Sequence, residues 1–279
     1  MPLKESEEQF LKETAMGLRN DIVDVTFWAG GAHIGGAMSM VEIITILYYK
    51  YMDIDPTNPN YEDRDRFILS KGHAGVGLAP LLANKGFFEK ETLKTFNQFN
   101  SPFGMHLDSA KVKGLDASTG SLGHGLPIAL GTALAARVTK RSYKTYCLLG
   151  DGEMNEGSNW EAIMAAAHFN ATNLIPIVDH NKQMIDGRVE DVMSLGAFAD
   201  KWKAFGFDVE EIDGHDFKQL AAAIDKAHNA TERPVVIIAN TIKGKGIEFM
   251  EDETKWHYGS IDSIVMEKCK KSIADNFAL

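Results

Sequence analysis

The sequence of 279 residues contains few cysteines, no long apolar run and no excess of basic residues. Its two cysteines, Cys147 and Cys269, supply neither a disulfide framework nor the spacing of a zinc site, so we expect ordinary thiols in a reducing compartment. The N-terminal MPLKESEEQF lacks the apolar core of a signal peptide, and no apolar stretch reaches the roughly 18 residues of a membrane span. These absences predict a soluble, cytoplasmic protein without a membrane partner.

The charge balance is acidic, with 29 lysines and arginines against 39 aspartates and glutamates and a net charge of −10. Proteins that bind nucleic acid usually present a basic surface, so we expect no nucleic-acid partner. Hydrophobic residues make up 44% of the chain, which is enough to build a sizeable core. Because no linker, repeat or low-complexity segment is evident, we predict a single domain over residues 1–279.

Short apolar runs alternate with helical patterns along most of the chain, which predicts an α/β fold: a doubly wound parallel sheet with helices on both faces. The predicted strands are Arg66–Leu69, Thr145–Leu149, Leu174–Val178, Phe207–Ile212 and Pro234–Asn240. The predicted helices between the strands are Gly125–Val138, Ser158–Phe169 and Asp216–Ala230.

Two capping-box patterns predict helix starts ahead of the sheet. Ser6 and Gln9 precede apolar residues at helical spacing, which predicts a first helix over about Glu7–Phe27. Ser39 and Glu42 repeat the pattern before a second amphipathic stretch. We expect these first helices to pack around the sheet.

Glycine or polar clusters follow four of the predicted strands, which suggests one shared crevice at their carboxyl ends. Asp151 stands between Gly150 and Gly152 directly after an apolar strand, a pattern that suits either a tight turn or a hard cation beside a phosphate. Asn181 follows 30 residues later, the span of one helical crossover and a strand, so both side chains can lie on adjacent strand ends. Aspartate and asparagine oxygens beside a diphosphate would form a plausible magnesium site.

The order and spacing of such motifs resemble the transketolase family over essentially the whole chain. Gly150-Asp151-Gly152 followed by Asn181 resembles the thiamin diphosphate motif, and further segments narrow the resemblance to transketolases. Those segments are Gly31-Ala32-His33-Ile34-Gly35-Gly36, Ser70-Lys71-Gly72-His73-Ala74, Gly104-Met105-His106, Gly120-Ser121-Leu122-Gly123-His124-Gly125, Ile185-Asp186-Gly187, Thr241-Ile242-Lys243-Gly244 and Trp256-His257. Ser121, Leu107, His124 and the Tyr258-Gly259-Ser260 segment depart from the commoner pattern and bear on substrate preference.

The resemblance implies thiamin diphosphate and Mg2+ as cofactors, with Ca2+ or Mn2+ able to substitute. Asp151, Asn181 and the backbone carbonyl of Gln183 would then hold the metal. Catalytic roles on the sugar side would fall to four histidines: His33, His73, His106 and His257. The implied cofactor-binding residues are His73, Gly120, Leu122, Gly150, Gly152, Glu153, Glu156, Asn181, Lys243 and His257. Glu156 would also belong to an acidic network across a subunit interface.

Transketolases carry a second domain that grips the aminopyrimidine and supplies a glutamate, and no such domain is evident in this sequence. We therefore expect the N-terminal subunit of a split transketolase, which transfers a two-carbon ketol unit between sugar phosphates together with a C-terminal subunit, as a heterotetramer of two of each chain. Three alternatives remain open. The first is a subunit of another thiamin diphosphate enzyme, such as a 2-oxo acid dehydrogenase or a specialised sugar ketolase. The second is a dinucleotide-fold binding module, and the third is a non-catalytic scaffold homologue. The histidine set disfavours the dehydrogenase, and the lack of a strand–GxGxxG–helix unit disfavours the binding module.

Overall fold

A five-stranded sheet, entirely parallel, forms the centre of the computed structural model, which describes residues 3–277. The strand order is β1-β2-β3-β5-β4. The strands are β1 Arg66–Leu69, β2 Thr145–Gly150, β3 Leu174–His180, β4 Asp208–Asp213 and β5 Val235–Asn240. The predicted strands are therefore confirmed, with β2 extended to Gly150 and β3 extended to His180.

Helices cover both faces of the sheet, as predicted for a doubly wound fold. Alternate residues of the central strands belong to two separate apolar clusters: Tyr146 and Leu148 pack toward one, Cys147 and Leu149 toward the other. Since side chains alternate across a strand, each cluster lies on its own face of the sheet. The α-helices are α1 Glu5–Trp28, α2 Ile34–Ser39, α3 Val41–Ile46, α4 Gly75–Lys85, α5 Gly125–Val138, α6 Gly157–His168, α7 Val189–Val192, α8 Phe198–Ala204, α9 Phe217–His228 and α10 Ser263–Asn276.

The two cores draw on different helices. Buried residues of α1 to α4, α9 and α10 belong to the first cluster, and those of α5, α6 and α8 belong to the second. Among residues 3–277, no helix combines the length and apolar character that crossing a bilayer requires.

The strand order brings the four predicted polar strand ends next to one another. β1, β2, β3 and β5 are neighbours, whereas β4 lies at the edge of the sheet beyond β5. Gly150 at the end of β2 pairs with Asp179 on β3, so Asp151 and Asn181 follow adjacent strands in register. The prediction of a shared crevice at this edge is confirmed in its geometry.

Both predicted capping boxes are wrong. The first helix begins at Glu5, and the backbone N–H of Lys4 donates to Glu7 Oε2 at 3.0 Å, so Ser6 lies inside the helix. Ser39 ends α2, and its hydroxyl donates to Asp179 Oδ2 at 2.6 Å instead of capping a helix. A buried carboxylate at the sheet edge competes successfully for the hydroxyl, which a local pattern cannot reveal.

Candidate active site

A cavity of about 340 Å³ lies at the carboxyl edge of the sheet, where the loops after β1, β2, β3 and β5 meet the first turn of α2. Its lining consists of glycines, acids, amides, histidines and two lysines, with few apolar side chains. The lining residues are His33, Gly36, Lys71, His73, Gly120, Leu122, Gly150, Asp151, Gly152, Glu153, Asn155, Glu156, Asn181, Gln183, Met184, Ile185, Lys243 and His257.

Asp151 supplies a buried carboxylate to the cavity at the end of β2. Its Oδ1 accepts from the backbone N–H of Gly152 at 2.8 Å, and its Oδ2 accepts from the backbone N–H of Lys182. Burial, and then the negative charge of Asp179, raise the pKa of Asp151 to about 7. A carboxylate held in this way is poorly compensated and would gain from a cation beside it.

Asn181 and Gln183 place further oxygen atoms next to that carboxylate. Asn181 Oδ1 accepts from the backbone N–H of Gln183 at 3.1 Å, which fixes the amide, and its Nδ2 donates to Asp179 Oδ2 at 3.1 Å. Both side chains are buried. One carboxylate, one amide oxygen and one backbone carbonyl, all from residues that line the cavity, are donors of the kind that Mg2+ prefers.

A buried ion pair between Lys71 and Asp179 lies behind the oxygen donors. Lys71 Nζ also donates to the carbonyl of Gly36 at 2.6 Å, while Asp179 accepts from the hydroxyls of Ser39 and Thr241. The ammonium of Lys71 lowers the pKa of Asp179 against the opposing effect of burial. The pair joins β3, which carries Asp179, to the loops after β1 and β5 and to α2.

Sequence reasoning missed this pair as part of the site. The available signals were the position of Lys71 within the Ser70-Lys71-Gly72-His73 segment and that of Asp179 at a strand end, two residues before Asn181.

Glu153 lines the cavity but uses its carboxylate to hold loops together. It accepts from the backbone N–H of Gly123 at 2.9 Å, from that of Gly150 at 3.1 Å and from the hydroxyl of Ser70. Burial raises its pKa despite these hydrogen bonds. This arrangement suits a residue that shapes the cavity from beneath rather than one that contacts a cofactor through its side chain.

Three histidines from distant segments, His33, His73 and His257, gather at the opposite end of the cavity, and His106 lies beside them. The ring centroid of His33 lies 5.2 Å from that of His73, 5.3 Å from that of His257 and 6.5 Å from that of His106. His73 and His257 are stacked, with centroids 5.3 Å apart. Gly120 permits this assembly, because a Cβ there would lie 3.0 Å from the His106 ring.

The half-buried histidines of this cluster, His33, His73 and His257, are neutral at physiological pH. Burial is the main cause of a lowered pKa in each case, and neighbouring positive groups add to it: the pKa is about 4 for His33, about 2 for His73 and about 3 for His257. The Nδ1 atom of His33 is buried without a hydrogen-bond partner among residues 3–277. A neutral imidazole can donate one hydrogen bond and accept another, which suits contact with sugar hydroxyls.

Lys243 connects the two ends of the cavity. Its Nζ donates to the carbonyl of Met184 at 3.3 Å and to that of Gln183 at 3.5 Å, and it lies 2.9 Å from Nδ1 of His257. Burial lowers its pKa to about 8. The ammonium therefore contacts the carbonyl of Gln183, and its charge adds to burial in lowering the pKa of His257.

The structure brings nearly all of the predicted site residues into this one cavity. His106 is the exception, because it lies exposed beside the histidine cluster and does not line the cavity. Glu156 lies exposed at the cavity mouth, so the expected acidic network across an interface stays a prediction. Two histidines left out of the predicted site make structural contacts, His180 with Asn240 at 3.1 Å and His228 with Tyr146 at 2.6 Å.

Fold and site together define an α/β protein whose ligand cavity lies at the carboxyl edge of a parallel sheet. Residues 11–275 match the family model described as "Transketolase, thiamine diphosphate binding domain". The chain belongs to this family of transketolase N-terminal domains.

Individual relatives are consistent with that assignment. The chain is 38% identical to an apulose-4-phosphate transketolase subunit from Phocaeicola vulgatus, covering 92% of this chain and 91% of the relative. It is 40% identical to 6-deoxy-6-sulfo-D-fructose transketolase subunit SqwG of a Clostridium species, covering 90% of this chain and 92% of the relative. The crystal structure of transketolase from Campylobacter jejuni superposes with a TM-score of 0.90 at 31% identity, covering 95% of this chain but 43% of that one.

Proposed function

We propose that this chain is the N-terminal subunit of a two-chain transketolase that transfers a ketol unit from a ketose phosphate to an aldose phosphate, using thiamin diphosphate and Mg2+. One observation carries the proposal: a single cavity joins buried oxygen donors at one end to a cluster of neutral histidines at the other. Anchoring a metal diphosphate and handling protons on a sugar need these two chemistries side by side.

The cavity has room and donors for the cofactor. A Cβ on Gly36 or Gly150 would meet no neighbour nearer than 3.7 Å and 3.8 Å, so both glycines leave space where a side chain would project. Asp151, Asn181 and the carbonyl of Gln183 would hold the metal, and Lys243 and His257 would face the diphosphate. When bound, thiamin diphosphate supplies a carbanion equivalent that accepts and releases the two-carbon unit.

The chain's own residues bind, orient and move protons. Lys243 offers a buried positive charge to an anionic group, which is worth more there than in water. His33, His73 and His257 start neutral, so each ring can accept a hydrogen bond from a sugar hydroxyl and donate its own N–H to a developing alkoxide. Leu122 presents an apolar side chain on which a flat ring can pack.

The proposal of a separate partner rests on the relatives. Those from Phocaeicola vulgatus and Clostridium are named as transketolase subunits and match this chain over 91% and 92% of their length. We infer a partner subunit that carries the pyrimidine-binding domain, a heterotetramer of two of each chain, and a cytoplasmic location. In this view residues 1–279 form one domain. Because the relatives act on an apulose phosphate and a sulfo-sugar by name, we propose a sugar phosphate or a similar anionic ketose as donor.

The test is a ketol-transfer assay of the purified chain, alone and with the product of a candidate partner gene, over a panel of anionic ketoses and aldoses with thiamin diphosphate and Mg2+. We expect transfer only when both chains and both cofactors are present. Full activity of this chain alone would contradict the two-chain proposal. Oxidative decarboxylation of a 2-oxo acid would favour the dehydrogenase alternative, and absence of cofactor binding by the two-chain complex would favour the scaffold.

A further inference from the structure

A buried network of three side chains lies beneath the segment that carries Lys243, outside the cavity. Arg19 comes from α1, Glu42 from α3, and His215 from the turn before α9. Their side chains are 0%, 4% and 13% exposed, respectively. Arg19 and Glu42 carry charged groups, and burying a charge is costly unless a partner compensates for the lost hydration.

The three side chains are tightly paired with one another. Arg19 Nη1 lies 2.7 Å from Glu42 Oε1, and Arg19 Nη2 donates to Glu42 Oε2 at 2.9 Å. His215 Nδ1 lies 2.9 Å from the same Oε2. Although burial acts to raise it, the pKa of Glu42 is lowered to about 2 by Arg19 and His215.

The network also bonds directly to the backbone on either side of Lys243. The backbone N–H of Ile242 donates to His215 Nε2 at 2.9 Å, and Arg19 Nε donates to the carbonyl of Lys245 at 3.0 Å. Gly246 then passes close to Arg19 with a φ of +94°, and a Cβ there would lie 2.8 Å from Arg19 Nε. The segment is thus held one residue before Lys243 and two residues after it.

The contacts also select one tautomer of the neutral His215 ring. Because Nε2 accepts from the N–H of Ile242, it carries no proton, so the ring proton is on Nδ1 and is donated to Glu42. The carboxylate of Glu42 thereby selects the tautomer that can receive the backbone N–H. Arg19 in turn orients that carboxylate.

We propose that Arg19, Glu42 and His215 are positioning residues that set the location of Lys243 and, through it, the affinity for the diphosphate cofactor. This inference rests on the proposed function. Lys243 Nζ contacts both His257 and the carbonyl of Met184, so a displacement of about 1 Å would break one of the two contacts.

Three variants of His215 separate positioning from general packing. His215→Gln keeps an acceptor near the place of Nε2, His215→Asn keeps a donor near the place of Nδ1, and His215→Ala keeps neither. Hydrogen exchange of the Ile242 amide, measured without cofactor, should be about tenfold faster in the Asn and Ala variants and nearly unchanged in the Gln variant. If the Ala variant does not fold, comparing Ile242 amide exchange between the Asn and Gln variants is sufficient for the test. Equal exchange in these two would overturn the assigned contact.

Cofactor affinity supplies the second measurement, in the complex with its partner subunit. His215→Asn should weaken binding of thiamin diphosphate with Mg2+ about tenfold, while His215→Gln should stay within about twofold of the parent. In the double variant with Lys243→Met, the Asn substitution should add no further loss, because both act through the same ammonium. If the affinity loss in the double variant equals the product of the two single losses, the inference is overturned. If the parent complex binds no cofactor, the proposed function fails, and the exchange result still stands on its own.

Discussion

The two ends of the cavity are built in different ways. The oxygen end comes from two neighbouring strand ends, with Asp151 after β2 and Asn181 and Gln183 after β3. The imidazole end draws His33, His73 and His257 from segments spread along the chain, with His106 beside them. The first end presents a carboxylate that a cation would compensate, while the half-buried rings of the second are neutral and offer hydrogen-bond donors and acceptors. On the proposed function, this difference predicts that metal binding at the first end and sugar chemistry at the second can be impaired separately.

The largest effect should come from removing the carboxylate of the oxygen end. Asp151→Ala should weaken binding of thiamin diphosphate in the presence of Mg2+ by at least about 100-fold, since losing even a residue behind a metal ligand typically costs 10–100-fold. Isothermal titration calorimetry of the two-chain complex measures this. Asp200→Ala, which removes an exposed carboxylate on α8, is the matched control and should bind normally. An unchanged affinity in Asp151→Ala would refute the metal assignment.

The complementary change is at the imidazole end. His106→Ala should lower kcat for ketol transfer about 100-fold while leaving cofactor affinity unchanged, because the ring lies beside the cluster and does not line the cavity. Steady-state kinetics with parallel calorimetry separates the two quantities. His168→Ala, at the exposed end of α6, is the control. If His106→Ala lowers cofactor affinity as much as kcat, the imidazole end also contributes to cofactor binding and the two ends do not have separate roles.

Lys243 links the two ends, so its removal should affect both. Lys243→Met should weaken cofactor binding about tenfold. It should also raise the pKa of His257 above about 3, because the lysine's positive charge, second to burial, disfavours the imidazolium. Nuclear magnetic resonance titration of the histidine ring protons measures that shift. The exposed Lys201→Met is the control. A His257 pKa that stays constant would show that the ends are electrostatically independent.

The smallest effect should come from the half-buried Leu122 in the cavity wall. Leu122→Ala should weaken binding of thiamin diphosphate about threefold, since only part of one apolar side chain is lost, and inorganic diphosphate should bind as before. Calorimetry with both ligands shows whether Leu122 contacts the diphosphate or the ring portion of the cofactor. A matching loss for inorganic diphosphate would place Leu122 at the diphosphate rather than at a ring.

The oxygen end was predictable from the sequence because its chemistry is local. Asp151 directly follows β2, and Asn181 directly follows β3. The length of the crossover between them implies that the two strands are adjacent in the sheet. The sheet and the helices between its strands followed from the same periodicities. The grouping of the distant histidines rested instead on family resemblance, since no local pattern places His33 near His257.

Buried polar partners are what local patterns could not show. Ser39 and Glu42 matched a capping box, yet Ser39 bonds to Asp179 and Glu42 to Arg19 and His215, residues far away in sequence. Tertiary pairing of buried polar groups outweighs a cap worth about 1 kcal/mol. For the same reason, the pairing of Lys71 with Asp179 could not be predicted.

A crystal structure of the two-chain complex with thiamin diphosphate and Mn2+ tests the central claim most directly, because anomalous scattering locates the metal. We predict one metal peak in each copy of this chain, coordinated by the Asp151 carboxylate, the Asn181 side-chain oxygen and the Gln183 carbonyl, with the diphosphate beside Lys243 and His257. A metal and diphosphate bound elsewhere, or a cavity filled by protein side chains under saturating cofactor, would contradict the account.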